Sequence, residues 1–123
     1  MKLIAFGFAA LVLTSSAVLA AEPWKTMDTS AGKVFADAKG MTLYTFDKDA
    51  ANASNCYDAC AAMWPPFVAE KMAKASGNWT VVSRKGGAQM WAYEGKPLYT
   101  YSKDSKPGDA TGDGVGNVWH VAK

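Results

Sequence analysis

A tyrosine and an aspartate five residues apart occur twice in this chain, as Tyr44 with Asp49 and Tyr99 with Asp104. An aromatic residue lies between them each time, Phe46 in the first and Tyr101 in the second. A phenol and a carboxylate at that spacing can do two things. They can act as an acid–base pair beside rings that hold a ligand. Alternatively, they can form a corner, with the tyrosine buried and its hydroxyl bonded, and the aspartate accepting backbone N–H groups as Asx turns do. The duplication favours the corner, because a catalytic pair is needed once and a corner is needed at every corner.

Cys56 and Cys60 are the only cysteines. In an exported chain two cysteines pair. At i, i+4 on a helix their Cα atoms are about 6 Å apart, inside the roughly 4.4–6.8 Å that a disulfide tolerates. Redox catalysts use C-x-x-C with a helix amino terminus lowering one thiol pKa. The spacing here is one residue longer, so a structural staple is expected, worth only about 2 kcal/mol because the ring is small.

Five methionines outside the leader (Met27, Met41, Met63, Met72, Met90) and the single histidine, His120, are soft donors that could suit Cu(I). No M-x-x-M or H-x-x-M cluster gathers them, and scattered methionines are core filler. Asp109-Ala-Thr111-Gly-Asp113-Gly114 echoes the start of a calcium loop, but position 12 counted from Asp109 is His120, which cannot be the bidentate carboxylate. A glycine-rich turn cluster with capping aspartates is expected over Asp104–Asn117, and whether it binds a cation is left open. One histidine, no G-x-S-x-G and oxidised cysteines leave no nucleophile–base set. Walker motifs are absent too. No catalytic residue, resident metal or cofactor is expected, and no enzyme.

The paired motif belongs to a longer duplication. Residues 40–49 read GMTLYTFDKD and residues 95–104 read GKPLYTYSKD, an offset of 55 that also carries Trp64 onto Trp119. Both copies hold Y-x-(F/W/Y)-x-x-D. With the run C-x-x-x-C-A-x-x-W-P-P from Cys56 to Pro66, the chain resembles a family of bacterial secreted proteins and lipoproteins named for that motif, the secreted repeat of unknown function. The resemblance spans about Lys33 to Val121. It implies export and a repeated architecture, and it carries no activity with it. A lipid anchor would need a cysteine just after the leader, and the nearest is Cys56.

Elements that must position these residues follow from periodicity. Strands are expected over Lys33–Asp37 and Met41–Asp47, with Ala38-Lys39-Gly40 as the turn. Residues 21–33 read as an irregular lead-in in which Trp24 finds a groove. Cys56–Met63 suits a short helix capped by Ser54 or Asn55 and ended by Pro65-Pro66. Phe67–Gly77 reads as a further helical turn or a loop. Trp79–Arg84, Ala88–Glu94 and Pro97–Ser102 read as a meander turning at Lys85–Gly87 and Gly95, with Gln89–Glu94 matched to Val34–Lys39. The fold class expected is mainly β, a β-rich α+β arrangement. Two related antiparallel hairpin units, about 33–67 and 88–121, share one core within a single domain, 21–123, that carries a short disulfide-bearing helix.

Residues 1–20 read as a cleaved signal peptide, with Lys2, an apolar run Leu3–Leu13 and small residues at the cut. That run is too short for a bilayer, which takes about 20 residues, so no membrane span is expected after cleavage. Cleavage leaves 103 residues, and the loss of Lys2 takes 13 basic residues to 12 against 11 acidic ones, a net +1. No nucleic-acid partner follows from so small a charge. The expected function is a periplasmic or secreted, non-enzymatic cell-envelope binding or interaction module, its partner an envelope component or small ligand. The alternative is a periplasmic redox or copper protein using Cys56, Cys60, the methionines and His120.

Overall fold

A computed structural model describes residues 22–123; the leader expected over 1–20 lies outside the described residues. The chain is mostly β. Strands β1 (Trp24–Thr29) and β2 (Gly32–Asp37) form an antiparallel hairpin in which Trp24 faces Asp37 and Thr29 faces Gly32. Strand β3 (Tyr44–Phe46) pairs with β7 (Trp119–Val121). Strands β4 (Trp79–Ser83), β5 (Gln89–Tyr93) and β6 (Lys96–Pro97) form the meander, but its third strand does not run over Pro97–Ser102: beyond Leu98 the chain leaves β5, with Tyr99 N–H donating to the Tyr44 carbonyl and Thr100 N–H to the Pro65 carbonyl. One α-helix, α1 (Ala59–Met63), and a 3-10 turn at Val115–Asn117 complete the elements among the described residues.

Residues 24–29 are a strand, not an irregular lead-in. Trp24 does find a groove: its ring stacks on Trp79 at 3.9 Å with the planes 1° apart and meets Trp91 edge-on at 5.0 Å. Lys25 and Asp28 are exposed on this edge strand, so its polar residues hid the strand from a hydrophobicity pattern. The stretch Met41–Asp47 is not one continuous strand. Met41–Leu43 bonds to β2, through Asp37 N–H to the Met41 carbonyl and Leu43 N–H to the Phe35 carbonyl, whereas β3 turns to β7. The helix is shorter than Cys56–Met63. It opens at Asp58, whose φ of 56° lies in the left-handed region, and neither Ser54 nor Asn55 caps it. Phe67–Gly77 holds no helix. Phe67 N–H donates to the Leu98 carbonyl and Ala69 N–H to the Gln89 carbonyl, which lays Phe67–Ala69 along the meander before a turn in which Ala73 N–H returns to the Glu70 carbonyl.

The hairpins β1–β2 and β4–β5 are the same element of the repeat, opened by Trp24 and Trp79, 55 residues apart. Each unit therefore starts earlier than 33 and 88. The first hairpin turns in two residues, Ser30-Ala31, and the second in three, Lys85-Gly86-Gly87, since Arg84 N–H closes on the Ala88 carbonyl. The next turns reverse the difference. Ala38-Lys39-Gly40 is a three-residue turn, and Glu94-Gly95 a two-residue turn with φ of 51° and 82°, as tight hairpins demand. Strands β2 and β5 are consequently 56 apart, which corrects the match of Val34–Lys39 to Gln89–Glu94. Val34, Phe35 and Ala36 correspond to Met90, Trp91 and Ala92. The burial agrees, with Val34 and Ala36 and their counterparts Met90 and Ala92 all 0–1% exposed.

Two apolar clusters result, each built from both units. One holds Tyr44, Cys56, Trp64, Met90, Tyr99 and Trp119. The other holds Leu43, Phe67, Trp79, Trp91 and Leu98. Alternation along the motif strand explains the division: Tyr44 and Tyr99 point into the first cluster, Leu43 and Leu98 into the second.

Candidate functional site

The two motif copies meet at their tyrosines. Tyr44 N–H donates to the Tyr99 carbonyl at 2.8 Å and Tyr99 N–H to the Tyr44 carbonyl at 3.0 Å, and both residues are 0% exposed. Their hydroxyls then cross over. Tyr44 Oη donates to Asp104 Oδ2 at 2.6 Å, and Tyr99 Oη donates to Asp49 Oδ2 at 2.6 Å. Each phenol is thus bonded to the carboxylate of the other copy, 60 or 50 residues away, and not to the one five residues on. The second oxygen of each carboxylate serves its own loop: Asp49 Oδ1 accepts from Asn55 N–H at 2.7 Å, and Asp104 Oδ1 from Thr111 N–H at 3.0 Å and the Thr111 hydroxyl.

The middle aromatic of each motif crosses as well. Phe46 stacks on Trp119 at 4.2 Å and Tyr101 on Trp64 at 3.9 Å, while Trp64 and Trp119 stack on each other at 3.8 Å, 2° from parallel. Four rings form one column, Phe46–Trp119–Trp64–Tyr101. Tyr99 meets Trp119 edge-on at 5.2 Å and Tyr44 meets Trp64 at 5.3 Å, geometries in which ring hydrogens face a π cloud. Gly112 closes over this column so tightly that a Cβ there would sit 2.7 Å from Trp64 Cη2 and 2.9 Å from Tyr101 Cδ2.

Burial, then the hydrogen bond to Asp104, pushes the Tyr44 phenol well above the ordinary tyrosine range. Burial and Asp49 do the same to Tyr99. Burial also raises Asp49, against the pull of Tyr99, Asn55 N–H and Arg84. Tyr44, Tyr99 and Asp49 therefore all hold their protons more firmly than the free side chains do.

Arg84 completes the first copy's network. It is 9% exposed, donates from Nη1 to Ser54 Oγ at 3.0 Å and from Nη2 to the Cys56 carbonyl at 2.7 Å, and lies 4.2 Å over the Tyr57 ring. Ser54 Oγ in turn is 2.6 Å from Tyr99 Oη. Arg84 did not stand out in the sequence, since an arginine beside Lys85-Gly86-Gly87 looks like a solvent-facing turn residue, and Ser54 stood out only as a helix cap, a role it does not play. Cys56 and Cys60 are disulfide-bonded with Cα atoms 5.2 Å apart, and Cys56 precedes the helix instead of lying on it.

The soft donors are dispersed. Met90 is buried with Sδ 3.6 Å from Arg84 Nη1, Met63 Sδ accepts from Ser102 Oγ, Met72 is 83% exposed, and His120 Nε2 pairs with Asp47 at 2.8 Å. Among the described residues no group of three or more histidine, cysteine, aspartate or glutamate side chains could hold a metal ion. In the glycine-rich loop Asp109 accepts from Ser105 and Lys106, whose N–H and ammonium groups hold its carboxyl at about 2, and Asp113 accepts from Val121 N–H.

Open space lies beside the first motif. A cavity of about 290 Å³ is lined by Phe46, Asp49, Gly95 and Pro97, and an adjoining one of about 260 Å³ by Tyr93 and His120. They share Thr45, Asp47, Glu94 and Lys96 as a common wall, making one trough. At the matching place in the second unit the loop has moved in: Pro107 presses on Gly40, and the Thr42 hydroxyl donates to the Asp109 carbonyl.

A family model described as a secreted repeat of unknown function matches two stretches, residues 25–68 and 80–123, displaced by the same 55 residues. No curated protein and no solved structure matches the chain.

Proposed function

The chain belongs to this family of secreted repeats, and from that premise we propose that it is a periplasmic, non-enzymatic binding module of the cell envelope that takes its ligand in the trough beside the first motif. One observation carries the reading: at the matched glycines a Cβ on Gly40 would stand 2.9 Å from Pro107, whereas one on Gly95 would stand 3.8 Å from Asn52, and space remains beside it in the first unit. The trough offers the half-buried Phe46 ring under a rim of mixed charge, Asp47, Glu94, Lys96 and His120. A few polar groups around an apolar ring is the composition of a small-molecule or peptide site.

The motif residues support a non-catalytic role. Tyr44, Asp104, Tyr99 and Asp49 spend their polar atoms on one another and on their own loops. Ligand capture from envelope extract by immobilised protein tests the reading, with Thr45→Arg, which fills the trough, run beside Thr100→Arg, its counterpart. Loss of a bound component with the first change only is expected. Equal retention by both variants would overturn the trough.

A further inference from the structure

The aromatic column has a property that binding at the trough does not use. Two indoles in parallel contact at 3.8 Å, a third oxidisable ring stacked at 3.9 Å, and two phenols meeting the indoles at 5.2–5.3 Å form one continuous set of redox-active side chains. Tyr101, half-buried at one end, is its contact with the surface, whereas Tyr44 and Tyr99 are 0% exposed. Each buried phenol is hydrogen-bonded at 2.6 Å to a carboxylate, which is the proton acceptor a phenol needs in order to lose an electron without becoming a cation radical.

We propose that this cluster is a one-electron relay: an oxygen radical or a high-potential metal centre takes an electron at Tyr101 or Trp64, and the hole moves through Trp64 and Trp119 to rest on Tyr44 or Tyr99 as a neutral tyrosyl. The step balances within the site. The oxidant gains one electron; the phenolic O–H bond breaks, and its proton forms an O–H bond on Asp104 Oδ2 or Asp49 Oδ2. The site is left one positive charge higher by the electron that departed. A thiol or quinol reductant supplies the electron that returns the phenol, and the carboxylic acid then gives the proton back. Nothing is cleaved or transferred beyond the electron and the proton. The duplicated Y-x-(F/W/Y)-x-x-D motif acquires a reason in this relay: its tyrosine is the resting place, its middle aromatic extends the column, and its aspartate is the base for the opposite tyrosine.

Pulse radiolysis of the whole exported protein with the azide radical, which oxidises indole, reads the relay directly. Expected in the unmodified protein is decay of the indolyl absorption into the phenoxyl absorption, at a rate independent of protein concentration. In Tyr44→Phe/Tyr99→Phe, where both rings remain in the packing, the phenoxyl yield should fall and the indolyl radical should persist. Asp49→Asn/Asp104→Asn keeps an acceptor for each hydroxyl but removes the base, and should slow the conversion about tenfold, the factor that about 1.4 kcal/mol of lost driving force produces. Near-ultraviolet circular dichroism of each variant checks that the column still stacks, and the asparagine pair stands as the test if the phenylalanine pair fails to fold. A phenoxyl yield and rate unchanged in either folded variant would overturn the relay, because the hole would then be settling on Tyr57, Tyr93 or Tyr101, which have no carboxylate partner.

Discussion

If the motif copies are bonded across one another, the coupling between their residues must be crosswise too, and a double-mutant cycle measures it. The pairs are Tyr99→Phe with Asp49→Ala and Tyr44→Phe with Asp104→Ala, run against the within-copy pairs Tyr44→Phe with Asp49→Ala and Tyr99→Phe with Asp104→Ala. A hydrogen bond to a charged group contributes about 1.5–3 kcal/mol. Asp104 is 7% exposed and holds Tyr44 Oη, Thr111 N–H and the Thr111 hydroxyl, so its removal orphans several buried donors and should cost about 3 kcal/mol or more. Asp49, half-buried and lifted by burial, should cost less. Cross-copy cycles should return coupling of about 1–2 kcal/mol, whereas within-copy pairs should add to within about 0.5 kcal/mol. A domain of this size has roughly 5–15 kcal/mol of stability, so urea midpoints at constant m resolve these differences. Larger coupling within a copy than across copies would refute the crossed geometry.

Gly112→Ala should overpack the ring column, costing about 1–3 kcal/mol and weakening the near-ultraviolet dichroism of the stacked indoles. Cys56→Ser with Cys60→Ser should cost about 2 kcal/mol or less, because the closed ring is short, and intact mass should show no free thiol until reductant is added. Trp64→Ala or Trp119→Ala should each cost about 3–5 kcal/mol, and a larger midpoint shift for the cysteine pair than for either tryptophan would contradict the core described. The Asp109 carboxyl titrates at about 2, below its unfolded value of about 3.9. Its contribution is therefore present above about pH 3.9 and lost as pH falls through about 2. Asp109→Asn should accordingly flatten the loss of stability over that interval, and an acid limb as steep as in the unmodified protein would show that the cap is not formed. Asp49, raised by burial, acts in the opposite sense: its contribution is present below the unfolded pKa and lost as pH rises through the folded one.

Much of the architecture was legible because duplication repeats its own signal. Leu43, Tyr44, Leu98 and Tyr99 announced an alternating strand with two buried faces, and the glycines at 40 and 95 announced its turns. Strand β1 was not legible, because an edge strand carrying Lys25 and Asp28 lacks the apolar alternation that marks a buried one. The 56-residue step in β5 was hidden for a different reason: a residue gained at Lys85–Gly87 and lost at Glu94-Gly95 cancel, and the motif on either side stays in register at 55. Spacing could bring a tyrosine and an aspartate to attention, but it could not say whose aspartate each tyrosine holds. That is fixed by the backbone bridge between Tyr44 and Tyr99, a contact between distant strands. Arg84 was silent because its role comes from three partners, Ser54, Cys56 and Tyr57, brought together only by folding.

The crossing of Tyr44 to Asp104 and of Tyr99 to Asp49, with Phe46 laid on Trp119 and Tyr101 on Trp64, makes this chain a dimer in covalent form. A polypeptide with one copy of the repeat would leave its phenol, its carboxylate and one face of its tryptophan unmatched. Two such polypeptides would satisfy each other about a shared axis between the indoles, residue i of one against residue j of the other, as isologous interfaces require. Joining the copies in one chain removes the demand that they stay identical. The first half could then take on the disulfide and the serine while the second took on the glycine loop and the arginine, Arg84, that reaches across to them.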